Sequence, residues 1–67
     1  MTAIKFPDVT VELVGHDGNA FAILGRVRRA LRDAGIDQED IDAYIADATS
    51  GDYDHLLAVT MATVDVE

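Results

Sequence analysis

The chain has 67 residues, no cysteine and a formal net charge of −8, because thirteen acidic residues outnumber five basic ones. This length supports one small globular domain over residues 1–67, whose core contributes about 3–5 kcal/mol. Without cysteine, disulfides and thiolate zinc sites are excluded. No apolar run approaches the roughly 20 residues that span a bilayer, and no basic region followed by an apolar stretch indicates a secretory signal. We therefore expect a cytoplasmic protein that does not enter a membrane.

The first expected element is a β-strand. Val9, Val11 and Leu13 alternate with polar residues in "VTVEL", which is the pattern of a half-buried strand. Pro7 is typical of the start of a strand or of an edge strand, since proline cannot donate to a sheet ladder. The following "GHDG", residues 15–18, has the composition of a turn.

Two helices are expected next. The first begins near Asp17 or Asn19, either of which can cap it, and ends at Gly35, which reaches left-handed backbone angles without penalty. Gly25 inside this helix costs about 1 kcal/mol relative to alanine, so it either admits a close backbone or is merely tolerated. The second helix follows Asp37 as N-cap and ends at "TSG".

A third helix is predicted from about residues 50–54, with Tyr53 and Leu57 on its buried face because they are four positions apart. The closing "TVDVE" alternates again, which favours a short strand beside the first one. The predicted fold class is therefore α+β, with an N-terminal strand, three helices and a short C-terminal strand pairing with the first. The expected core residues are Val11, Leu13, Phe21, Leu24, Val27, Leu31, Ile41, Ile45, Leu57 and Met61.

Two polar segments, "GHDGNAF" and "SGDYDHLL", are candidates for a chemical site. If the two helix starts met, His16 and His55 with Asp17, Asp52 and Asp54 would form a mixed histidine and carboxylate site for a divalent ion or for acid–base chemistry. Helix caps use the same residue types, and we favour that interpretation. No triad spacing, phosphate loop or dinucleotide fingerprint is present. We therefore expect no catalytic, cofactor-binding or metal-binding residues.

Four of the five basic residues lie within seven positions, and they form what we call the arginine face: Arg26, Arg28, Arg29 and Arg32. This cluster is either a partner-binding face or a solvated helix face. The two helices around Gly35 superficially resemble a helix-turn-helix. Its second helix, however, would carry five acids into the major groove, so we do not expect direct nucleic-acid binding.

The motifs "DGNAF" and "SGDYDHLL", with a basic helix and an acidic helix between them, resemble a group of small uncharacterised proteins of tailed bacteriophages, prophages and bacteria. The resemblance covers roughly residues 11–60. It implies a phage or bacterial origin and a cytoplasmic setting. The group has no established activity, cofactor or catalytic residues, so no site residue is carried over.

These observations favour a small acidic accessory or regulatory module that binds a protein partner and is not an enzyme. One version is a DNA mimic, whose carboxylates compete for a basic DNA-binding groove. One alternative is a metal-dependent or acid–base enzyme using His16, His55 and nearby aspartates. Another is a structural protein that associates with itself, for example as a homodimer.

Overall fold

The protein folds into two short strands separated by three helices, as seen in a computed structural model that describes residues 4–13 and 19–67. This order confirms the predicted α+β fold. In chain order the elements are β1 (Phe6–Val11), α1 (Ala20–Asp33), α2 (Gln38–Ala48), α3 (Tyr53–Thr63) and β2 (Val64–Val66).

Strand β1 shows the predicted alternation. Val9 and Val11 are buried, whereas Thr10 between them is exposed. The strand begins earlier than predicted, at Phe6, and contains Pro7. An irregularity in the pairing with β2 between Phe6 and Thr10 explains this, because a bulge removes the need for a ladder hydrogen bond from proline.

The predicted pairing of the two strands is confirmed, and it is parallel. The amide of Glu67 donates to the carbonyl of Val11 at 2.9 Å, and the amide of Leu13 donates to the carbonyl of Glu67 at 3.3 Å. A parallel pair needs a long crossover between its strands, and the three helices supply it. Helix α3 runs directly into β2, whose first residue, Val64, is fully buried.

Helix α1 has the predicted ends. The Asn19 side chain accepts a hydrogen bond from the Ala22 amide at 2.9 Å, and Gly35 has a φ of +81°, as a left-handed C-terminal residue requires. The buried stripe consists of Ile23, Val27 and Leu31. The core prediction for Phe21 is wrong, since its side chain is 85% exposed. Phe21 lies two positions before Ile23, a rotation of about 200° on a helix, so it faces away from the core.

Helix α2 buries Ile41, Tyr44 and Ala48. Asp37 occupies its N-cap position, but the predicted capping hydrogen bond is wrong because the Asp37 side chain makes none. Ile36, just before the cap, is partly buried and packs against the core.

Helix α3 buries Leu56, Thr60 and Thr63. The predicted burial of Tyr53 and Met61 is wrong, because these side chains are 44% and 61% exposed. Leu57 is only half-buried. Leu56 and Thr60 are four positions apart, so the helix is rotated by about one residue from the predicted phase. Of the expected core, Val11, Val27, Leu31 and Ile41 are buried, while Leu13, Leu24, Ile45 and Leu57 pack partly buried against it.

A buried hydrogen bond joins α2 to α3. The Tyr44 hydroxyl lies 2.7 Å from Oγ1 of Thr60, and that Oγ1 donates to the Leu56 carbonyl at 2.8 Å. Since the threonine proton is used on the carbonyl, Tyr44 is the donor to Thr60. Burial raises the pKa of the Tyr44 hydroxyl.

We expect Tyr44→Phe to lower the free energy of unfolding by about 0.5–1.5 kcal/mol at neutral pH, since Thr60 keeps its bond to Leu56. Above about pH 10 the difference should shrink. The unfolded tyrosine then ionises while the folded one stays neutral, so the wild type loses stability as pH rises. Urea melts of both proteins from pH 7 to 11 measure this. A difference that grows with pH would contradict the assignment.

Candidate functional site

The segment "SGDYDHLL" starts α3. Asp52 is the N-cap, and its Oδ1 accepts a hydrogen bond from the His55 amide at 2.9 Å. Asp54 lies in the first turn, where a carboxylate interacts favourably with the positive end of the helix. Both aspartates therefore have a structural role in the folded chain, as the capping interpretation predicts.

The His55 side chain turns back towards the C-terminal end of α2. Its Nε2 lies 2.9 Å from the Asp47 carbonyl oxygen and 3.2 Å from Oγ of Ser50. A carbonyl only accepts, so Nε2 carries the proton and donates to Asp47. The last carbonyls of a helix have no partner within it, and the Asp47 carbonyl accepts from the amide and hydroxyl of Ser50 as well as from His55. This role was not predicted, because the contact joins two different helices.

Gly51 packs against the base of the His55 side chain. A Cβ added at Gly51 would lie 2.9 Å from both Cβ and Cγ of His55, closer than carbon atoms approach. The glycine in "SGDYDHLL" therefore makes room for the histidine, and the polar segment folds as one tight junction between α2 and α3.

The starts of α1 and α3 come together on either side of an open cleft of about 260 Å³, which we call the aromatic cleft. Phe21 projects from one rim with 85% of its side chain exposed, and Tyr53 projects from the other with 44% exposed. Phe21 and Tyr53, one aromatic residue from each of the two candidate segments, thus line the same cleft. The cleft is lined by Ala20, Phe21, Leu24, Ala48, Thr49, Gly51, Asp52, Tyr53 and Leu56.

The predicted histidine and carboxylate site falls partly outside the described residues, because His16 and Asp17 lie there. Within residues 4–13 and 19–67, no group of three or more histidine and acidic side chains is arranged to hold a metal ion. His55, the described histidine of that set, uses Nε2 on the end of α2.

The arginine face is exposed on α1, as expected of either interpretation. Arg29 lies 3.9 Å from Asp33, with both side chains more than two-thirds exposed. An ion pair of that kind contributes little to stability, about 0–1 kcal/mol. This pair therefore holds Arg29 only weakly in place.

Sequence reasoning missed the exposed aromatic residues. The helical spacing of Phe21, Leu24, Val27 and Leu31 predicts a core position for Phe21. The alternative stripe, Ile23, Val27 and Leu31, fits the same spacing and is the buried one. The sequence contains the information to choose between the two stripes. If Ile23 is placed on the buried face, Phe21 falls on the opposite side of the helix.

Comparison with family models, curated proteins and solved structures finds no significant match for this chain. Among the helices of the described residues, none combines the length and apolar character needed to cross a membrane.

Proposed function

We propose that the protein is a small protein-interaction module that acts as an accessory or regulatory partner of another protein, with the aromatic cleft as its docking surface. The observation that carries this proposal is the exposure of Phe21 beside an apolar cleft. A small domain gains stability by burying such a side chain, so a large apolar group held in solvent next to a concave surface favours a partner-binding role. Aromatic side chains are also among the residues that contribute most to binding.

The chemistry of the cleft suggests the kind of partner. Its walls are mostly apolar, while Asp52 lies on the lining and Asp54 is exposed nearby on α3. The chain as a whole has a net charge of −8. A partner with an apolar anchor flanked by basic side chains would be complementary, and its association would be accelerated by charge. The phage or bacterial resemblance of the two motifs makes a bacterial lysate the appropriate source of such a partner.

The decisive experiment compares three immobilised proteins: the wild type, Phe21→Ser and Met61→Ser. Met61 is the matched control because it is 61% exposed but does not line the cleft. We expect the wild type and Met61→Ser to retain the same basic protein from a bacterial lysate. The amount retained by Phe21→Ser should be at least tenfold lower. Titration calorimetry with that purified protein should give the same order of affinity.

Two outcomes would contradict the proposal. Retention that is unchanged by both Phe21→Ser and Tyr53→Ser would show that the cleft is not the docking surface. Concentration-dependent self-association that disappears only in these two variants would assign the cleft to a second copy of the chain, as in the self-associating alternative. Sedimentation of each variant over a range of concentrations distinguishes the two.

A further inference from the structure

Strand β1 has a second edge that β2 does not use. The bonds to β2 involve the Val11 carbonyl and the Leu13 amide. Because successive residues of a strand direct their backbone groups to opposite edges, Thr10 and Glu12 direct theirs away from β2. Among the described residues, β1 pairs with β2 alone, so no other described strand occupies this outer edge.

An open groove of about 620 Å³ lies between this edge and helix α1, and we call it the edge groove. Gly25 lies in its α1 wall, where an added Cβ would meet nothing within 4 Å. One explanation for Gly25 is that it allows another backbone segment to approach closely. Among the described residues no segment does so, and that explanation is wrong for them. Glycine in a helix interior is unfavourable, yet here it leaves the groove open. The lining consists of Thr10, Val11, Glu12, Ala22, Gly25, Arg26, Arg29, Ala30 and Asp33.

A second, shallower groove of about 280 Å³ continues across α1 and shares Gly25, Arg29 and Asp33 with the first. It adds Arg28 and Arg32, so the two grooves together are lined by the four residues of the arginine face and by the acids Glu12 and Asp33. This excess of positive charge lies in a chain whose net charge is −8.

Three of these arginines, Arg28, Arg29 and Arg32, are available to a ligand. Arg28 and Arg32 form no ion pair with any residue that the structure describes, and like charges one helical turn apart destabilise a helix. Arg29 holds Asp33 only in an exposed pair at 3.9 Å, which a ligand carboxylate can replace. Arginine binds carboxylates with paired hydrogen bonds.

We propose that the edge groove binds an extended acidic segment of a partner protein, which adds as a strand to the outer edge of β1. Strand addition supplies backbone hydrogen bonds to Thr10 and Glu12, and side chains of the added strand supply specificity. Its carboxylates bind Arg28, Arg29 and Arg32 across the space left by Gly25. This surface is separate from the aromatic cleft and has the opposite charge preference, so the two can be tested independently.

The test uses fluorescein-labelled peptides of about six residues and follows their fluorescence anisotropy. A peptide alternating valine and glutamate should bind, and its affinity should fall roughly tenfold when salt is raised to about 0.5 M. A peptide alternating valine and lysine should not bind. An N-methylated valine–glutamate peptide has the same charges but lacks the amide donors for strand pairing, and it should bind at least tenfold more weakly.

Two variants test the groove without unfolding the protein. Gly25→Met fills the open space, and it should raise the melting temperature by roughly 3–6 °C because methionine favours a helix. The same variant should weaken peptide binding at least tenfold. Arg32→Gln should weaken binding several-fold. Lys5→Gln, which removes one positive charge outside both grooves, is the matched control and should leave binding unchanged.

Three results would overturn the proposal. They are no binding of the valine–glutamate peptide to the wild type, equal binding of its N-methylated form, and undiminished binding to Gly25→Met. If a single-stranded oligonucleotide displaced the peptide with higher affinity, the site would be a phosphate-binding surface instead. Phe21→Ser should not change peptide binding, so failure here and failure of the cleft proposal are distinguishable.

Discussion

Leu56→Ala is expected to leave the protein largely unfolded. The Leu56 side chain is 3% exposed and belongs to the core formed by both strands and all three helices. Truncating a buried leucine costs about 2–5 kcal/mol. A core in a chain of this length supplies about 3–5 kcal/mol in total, so one such cavity removes most of the stability.

Far-UV circular dichroism and urea melts of three variants test this expectation. Leu57→Ala, at the adjacent half-buried position, should lose less stability and remain mostly folded. Met61→Ala, at a side chain that is 61% exposed, should melt within about 0.5 kcal/mol of the wild type. If Leu57→Ala unfolded while Leu56→Ala stayed folded, α3 would have the helical phase first predicted from the sequence.

Gly51→Ala is expected to destabilise the protein by about 1–3 kcal/mol, as overpacking does. The added Cβ would lie 2.9 Å from Cβ and Cγ of His55. These atoms are at the root of the side chain, so a change of rotamer cannot move Cβ away. Relief requires a backbone shift that breaks the contact between His55 and the Asp47 carbonyl.

A double-mutant cycle isolates this clash. His55→Ala alone should cost about 0.5–1.5 kcal/mol, the net value of the lost hydrogen bonds. Adding Gly51→Ala to His55→Ala should then cost less than it does in the wild type, because the contacts with Cγ and the ring are gone while the contact with Cβ remains. Gly35→Ala provides the comparison, since its cost comes from the positive φ and should be the same with or without His55. An equal cost of Gly51→Ala in both backgrounds would show that Cγ and the ring add nothing to the clash.

The elements of this fold could be predicted because each has a local cause. The alternation around Val9 and Val11, the cap at Asn19 and the left-handed Gly35 all depend on neighbouring residues. The phase of α3 could not be predicted in the same way, since apolar residues occur on most sides of that helix. The buried bond between Tyr44 and Thr60 and the contact of Leu56 with the core distinguish one face, and both depend on residues distant in sequence.

The candidate surfaces also differ in whether they depend on neighbouring residues or on residues distant in sequence. The arginine face is visible in the sequence because its residues are close together. The aromatic cleft and the edge groove are not, because each is formed by elements that the chain brings together from separate segments. Gly25 illustrates the difference: its cost to the helix could be predicted, but the open groove beside it appears only in the folded structure.

The parallel pairing of β1 with β2 also determines the order in which the molecule assembles. Val11 pairs with Val66, so the sheet closes a loop that contains all three helices. Closing a long loop costs entropy before its contacts stabilise the product, and proteins dominated by such distant contacts fold more slowly than helical bundles. On the ribosome, β1 emerges first and must wait for β2, and both of its edges stay open to other chains during that interval.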